Sequence, residues 1–256
     1  MRIAIITGAS SGMGRELVLQ ISKKEQFDQI WVIARREKAL LGLKEMIGEH
    51  VRPILLDLTQ KNSFDEYTEL LEQEKPDVAF LANVAGFGKF GRYDQVPLED
   101  GLSMIDLNCK AVVAITQLTL PYMKRGAKIL QLASISAFQP VPYLNVYGAT
   151  KSFVTSYSRA LNRELKTEGI RVMSVNPSWV KTEFFDHAKK SSNDGITYFN
   201  VMYDAKDVIK TAIHDLYHTK KDVSVHGFKM KVQALLVKFL PHKIVMNIWM
   251  RQQKHK

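Results

Sequence analysis

IAIITGASSGMGRELVLQ, residues 3–20, decides the fold. Its first five residues are mostly apolar and β-branched, the composition of a buried strand. Gly8, Gly12 and Gly14 follow, and RELVLQISKK (15–24) then takes helical spacing. Glycines let a ligand approach the backbone closely, and a helix starting near Gly12 offers free amides at its positive end. A pyrophosphate fits such a turn. The spacing is Gly-x-x-x-Gly-x-Gly rather than the commoner Gly-x-Gly-x-x-Gly. By itself it could be no more than a tight turn. Its position between the first strand and a helix gives it weight.

The same alternation continues outward. Apolar runs at 30–34, 52–57, 77–83, 128–134, 170–177 and 222–227 read as strands. Stretches at 37–47, 63–74, about 98–123 and about 145–166 have helical periodicity. Continuous apolar strands alternating with helices predict an α/β, doubly wound fold with a parallel sheet of about seven strands covered on both faces. Residues 1–228 form one expected domain, and 229–256 a C-terminal extension. The chain has 256 residues, 46% hydrophobic and 24% charged, enough for a sizeable core. Cys109 is the single cysteine, which excludes an intrachain disulfide, and no Cys/His spacing suits a metal. Cys109 itself reads as core packing. The first residues lack the pattern of a leader, and no run approaches the length of about 20 apolar residues that spans a bilayer. The expected location is cytoplasmic, with peripheral contact at the inner face of a membrane left open by the tail.

The second strand ends VIARR, residues 32–36. An NAD-selective site usually has an acid there for the ribose hydroxyls. This chain has Arg35 and Arg36, and a guanidinium fork pairs with a 2′-phosphate. NADP(H) is therefore expected over NAD(H). Further on, Tyr147 and Lys151 stand four residues apart and share a helix face. A free phenol titrates near pH 10. A neighbouring ammonium, with a cationic nicotinamide, would favour the phenolate and make Tyr147 a proton donor and acceptor.

Together these motifs resemble the classical short-chain dehydrogenase/reductase family over about residues 2–227. Thr7 to Gly14 is similar to its TGxxxGxG turn, Asn83-Val84-Ala85-Gly86 to NNAG, and Tyr147 to Lys151 to YxxxK. Pro177 to Thr182 is similar to PGxVxT, with Ser178 for Gly. The resemblance implies a Rossmann fold and a set of roles. Asn108, Ser134, Tyr147 and Lys151 would be catalytic, with Asn108 holding a water and Ser134 binding the substrate oxygen. Gly8, Ser10, Ser11, Gly12, Met13, Gly14, Arg35, Arg36, Asp57, Leu58, Asn83, Ala85, Gly86, Tyr147, Lys151, Pro177, Val180 and Thr182 would meet the dinucleotide. It also implies a homodimer or homotetramer through the helices near 98–123 and 145–166.

The segment after Thr182, with aromatics in other loops, would close an apolar pocket for a lipophilic ketone or secondary alcohol. Tyr143, Trp179, Phe184 and Phe185, with Ser134, are its expected substrate contacts. The alternative to an enzyme is a dinucleotide-binding sensor or scaffold at a membrane surface; such proteins usually lose the Tyr or the Lys, and both are present.

The net charge is +10, and residues 223–256 carry seven Lys or Arg and no acid. The basic character belongs mainly to the tail, which disfavours a nucleic-acid partner. Val232, Leu235, Leu236, Phe239 and Leu240, then Ile244, Val245, Ile248 and Trp249, form apolar stripes between lysines. An interfacial helix on an anionic membrane and a helix packed on protein both fit that pattern.

Overall fold

The computed structural model describes residues 1–184, 188, 196–199 and 201–253. Phe185, an expected substrate contact, and Lys189 and Lys190 lie outside the described residues.

Strands β1 (Arg2–Thr7), β2 (Gln29–Ala34), β3 (Val51–Leu55), β4 (Asp77–Asn83), β5 (Lys128–Leu132), β6 (Arg171–Val175) and a last short strand (Val223–Ser224) form one parallel sheet. Their order is β3-β2-β1-β4-β5-β6 followed by Val223–Ser224 at the edge. Each β1 side chain from Ile3 to Ile6 is fully buried. Ala4 and Ile6 point to one face, against α1 (Gly12–Lys24) and α2 (Glu37–Ile47). Ile3 and Ile5 point to the other, against α3 (Asn62–Glu74) and the helices of the middle of the chain. A strand that feeds two cores cannot alternate polar and apolar, which is why the run read as continuous. The chain winds from β1 towards β3 on one side and from β4 onward on the other. The crevice above the carboxyl ends of β1 and β4 is where a ligand fits in such a sheet.

The long helix in the middle is not uniform. It runs as α4 (Leu98–Ile105), one π turn (Asp106–Lys110) and α5 (Ala111–Thr119). α6 (Asn145–Glu164) carries Tyr147 and Lys151. Two features escape the sequence reading. A small parallel pair, β7 (Trp179–Lys181) with β8 (Met202–Asp204), stands outside the main sheet. Helix α7 (Ala205–His218) buries Ile209, Ala212, Ile213 and Leu216 against the α1 side. The last strand of the main sheet, β9, has two residues rather than six.

The tail forms two helices, α8 (Phe228–Leu236) and α9 (His242–Gln252), packed on the body of their own chain. Met230 and Ala234 meet Val225, and Val237 and Val245 are buried. Burial of a side chain of this size contributes about 1.5–3 kcal/mol. Trp249 donates its indole N–H to the Pro142 carbonyl at 3.0 Å, and Gln253 Oε1 accepts from the Thr197 and Tyr198 amides. Of the readings of the tail, packing within the chain is therefore realised. Apart from Val245 and Trp249, the stripe of large side chains is not the buried face: Leu235, Leu236, Phe239, Leu240, Ile244 and Ile248 are exposed.

Candidate active site

The glycine turn sits at the switch point. Gly8 has φ +69°, and a Cβ there would lie 2.6 Å from the Ala85 amide nitrogen. A Cβ on Gly14 would lie 2.1 Å from the Gly8 carbonyl oxygen, so the first turn of α1 rests directly on the end of β1. Thr7 fixes the other side: its Oγ1 accepts from the Val84 and Ala85 amides at 3.1 and 3.2 Å. Ser11 is the N-cap of α1 in extended backbone and makes no side-chain cap bond. The helix end thus keeps its amides for an anion, as a pyrophosphate requires. Thr182 approaches from the loop after β7, close enough that a Cβ on Gly12 would meet it at 3.2 Å. Glycine cradle, helix end and Thr182 fit a dinucleotide.

At the end of β2, Arg36 donates to Ser10 Oγ at 3.2 Å and to Glu183 Oε2 at 2.8 Å. The strand end lacks an acid in sequence, yet the loop after β7 brings one to it. Arg35 is mostly exposed, with Asp57 3.8 Å away. Asp57 Oδ1 accepts from the Thr59 amide and hydroxyl. Although burial opposes it, those bonds and the Arg35 charge hold its carboxyl below the ordinary range. Leu58 is buried beneath. Asn83 is turned away from the crevice, donating to Thr116 Oγ1 on α5 at 3.0 Å.

Lys151 is 3% exposed, and its Nζ donates to the Leu132 carbonyl at 2.8 Å and lies 5.7 Å from the centre of the Tyr147 ring. Burial pulls its pKa down to about 8. Burial also pushes Tyr147 up to about 12, against a hydrogen bond from Ser134 that lowers it. Desolvation is the larger of the two effects and favours the protonated phenol. Ser134 Oγ also accepts from the Ser136 amide at 3.2 Å, which orients the hydroxyl.

Asn108 occupies the centre of the π turn and is fully buried. It exchanges two hydrogen bonds with the Phe87 backbone and donates to Thr150 Oγ1. The extra residue of the π turn is what aims it at the loop after β4. A Cβ on Gly86 would sit 2.8 Å from Asn108 Oδ1 and 3.2 Å from Lys151 Nζ, so both groups close on that one glycine. Cys109, the next residue, contacts the Thr150 carbonyl through sulfur at 3.8 Å, in keeping with a packing role.

These groups open on a cavity of about 430 Å³. Met13, Gly86, Pro177, Val180 and Thr182 line its end beside the glycine turn, and Ser134, Tyr147 and Lys151 its middle. Trp179, Phe184 and Tyr198 form one wall. Phe90 and Phe199 stand behind it, with ring centres 5.9 and 5.0 Å from Trp179. Tyr143 packs in the same aromatic cluster at φ +65° without lining the cavity. The far wall is unexpected. It is the tail: Val232, Leu236, Val237, Leu240, Val245 and Ile248. Their periodicity was visible in sequence, but nothing local connected it to Tyr147. Gly88 is a second residue the sequence does not flag, packed against the rings of Tyr147 and Phe184.

A parallel sheet with an anion-binding turn at its switch point, and a Ser–Tyr–Lys group in the crevice beside it, defines a nucleotide-dependent oxidoreductase. The profile of the short chain dehydrogenases matches residues 2–193. The chain belongs to that family. It is 28% identical to a probable short-chain type dehydrogenase/reductase, VdlC, of Helicobacter pylori, over 93% of each chain. It is 34% identical to sulfoacetaldehyde reductase 2 of Chromohalobacter salexigens, over 71% of this chain and 74% of that one. Among solved structures, a short-chain dehydrogenase of Sphingobium yanoikuyae, in complex with NADPH, shares the fold with a TM-score of 0.78. It is 24% identical and covers 96% of both chains.

Proposed function

We propose that this oxidoreductase is an NADPH-dependent carbonyl reductase, or the reverse dehydrogenase, for a hydrophobic ketone or secondary alcohol. One observation carries the reading: Ser134, Tyr147 and Lys151 meet on one side of a cavity whose remaining lining is mostly apolar. Gly8, Gly12, Gly14 and the amides opening α1 would hold the pyrophosphate, and Met13, Gly86, Val180 and Thr182 the nicotinamide end. Arg35 and Arg36 supply cations for a 2′-phosphate. Solved neighbours hold NADPH, NADP+ or NAD, so the choice between dinucleotides rests on these arginines.

When bound, the nicotinamide supplies the hydride that a carbonyl carbon takes up. The chain's own residues handle the oxygen. Tyr147 gives its phenolic proton to that oxygen as the C–O bond gains negative charge. Ser134, its lone pair held by the Ser136 amide, turns its hydroxyl hydrogen to the same oxygen. Lys151 sits behind Tyr147, and its lowered pKa lets it return a proton near neutral pH. Asn108 fixes the loop that carries Gly86 and so holds the proton path in place. Phe184 and Trp179 exclude water and favour an apolar substituent.

The exposed apolar faces of α4 and α6, with Leu98, Leu102, Ile105 and Phe153, suit a second subunit and support a homodimer or homotetramer.

The deciding experiment follows NADPH oxidation with ketones and 3-oxoacyl thioesters of rising chain length. Efficiency should climb with chain length, and Tyr147→Phe should lose about 10²–10⁴ in kcat while binding NADPH as before. Full activity of the variant would overturn the role of Tyr147. NADPH binding without turnover of any ketone or alcohol would favour the sensor reading.

A further inference from the structure

We propose that the outer face of α8 and α9 is a docking surface for an anionic lipid bilayer, and that the substrate enters the cavity from the bilayer between these two helices. The inference rests on the hydrophobic-substrate reading and adds the partner and the route.

Three observations combine. First, Val232, Leu236, Leu240 and Ile248 line the cavity and are also exposed at the surface, so the cavity opens where the tail's apolar patch lies. Second, the patch continues past the opening. Phe228 is 81% exposed and Phe239 78%, and Leu235 and Ile244 stand beside them. A surface of this kind around a cavity mouth marks an interaction site. Third, Lys229, Lys231, Lys238, Lys243 and Arg251 surround it, while residues 223–256 contain no Asp or Glu. That charge complements anionic headgroups, with the aromatic and aliphatic side chains reaching the acyl boundary. It argues against a second copy as the occupant, because a two-fold contact would bring the same cations face to face. Among the described residues no helix is long and apolar enough to cross a membrane, so the contact is with the surface. The Trp249–Pro142 bond and buried Val245 hold α9 on the body while its outer side remains open.

The test is sedimentation with phosphatidylcholine vesicles with and without phosphatidylglycerol. The protein should partition at least about tenfold more strongly to the anionic vesicles, less so as salt rises. Leu235→Glu with Phe239→Glu, neither of which lines the cavity, should abolish that binding. It should also remove activity on a long-chain ketone carried in vesicles, while kcat/KM for a short water-soluble ketone stays within about twofold. Lys231→Glu with Lys238→Glu, on the solvated side, should weaken binding without affecting the fold. The proposal fails if the unaltered protein stays in the supernatant, or if both double variants sediment as it does. It also fails if Leu235→Glu with Phe239→Glu splits an oligomer and vesicle binding is absent throughout. Sedimentation needs no turnover: docking without reduction of any ketone would support the surface and count against the reductase reading alone.

Discussion

Gly88→Ala should slow the chemical step without unfolding the protein. Gly88 lies in the loop after β4, and its φ is outside the left-handed range, so alanine brings no backbone strain. The conflict is with the Tyr147 ring. The added Cβ would stand 2.8 Å from Tyr147 Cδ2, 3.2 Å from its Cε2 and 2.9 Å from Phe184 Cζ. Ordinary contact begins near 3.4 Å, so the Tyr147 ring must move by roughly 0.6 Å. α6 cannot follow, because Lys151 on its next turn is buried and bonded to Leu132. The ring must tilt instead, and the phenol leaves its hydrogen bond with Ser134. Misplacement by a fraction of an ångström to an ångström costs about 10- to 100-fold in rate. Stopped-flow measurement of the NADPH signal should show kcat down by that factor, with the NADPH dissociation constant unchanged and a melting temperature close to the parent's. An unchanged kcat would mean that Phe184 alone gives way, and that the Gly88 contact does not position the phenol.

Two further outcomes follow from the same geometry. Arg35→Ala should weaken NADPH binding by about tenfold or more and NADH binding by less than about twofold, since only the former loses a charge-assisted fork; equal losses in titrations with both would refute the 2′-phosphate assignment. Lys151 has a folded pKa of about 8 against an ordinary value of 10.5. Between those values the unfolded chain binds more protons, so raising the pH stabilises the fold. The full shift corresponds to about 3 kcal/mol. Urea unfolding of the cofactor-free protein should show its stability gaining on that of Lys151→Met across pH 8 to 10, and a constant difference would contradict the buried ammonium.

The sheet was legible because its signal is local: Ile3 to Ile6 are all apolar since both faces of β1 are covered, and Gly8, Gly12 and Gly14 follow at once. The Tyr147–Lys151 pair was equally readable, as one turn of one helix carries both. What failed to show depended on distant neighbours. The purpose of Gly88 lies with Tyr147 on another element. Arg36 finds its carboxylate in Glu183, far along the chain. Asn108 was placed by resemblance alone, because nothing in DLNCK announces the π turn that aims it. In the tail, periodicity marked a stripe of large residues and left open whether it meets a membrane or protein. The structure buries Val245 from that stripe together with Met230, Ala234 and Val237 from outside it, and it leaves Phe239 exposed. α7 was overlooked although its Val208, Ile209, Ala212 and Leu216 keep helical spacing.

The far wall of the cavity is supplied by a segment that follows every strand in the chain. The dinucleotide turn and the Ser–Tyr–Lys group belong to elements complete well before it. During synthesis the reactive end and its aromatic wall thus precede the helices that close the far side of the cavity. Changes confined to residues 228–253 can revise that choice while every strand and the hydride-transfer geometry are inherited untouched. Selectivity and chemistry are, in this chain, separately editable.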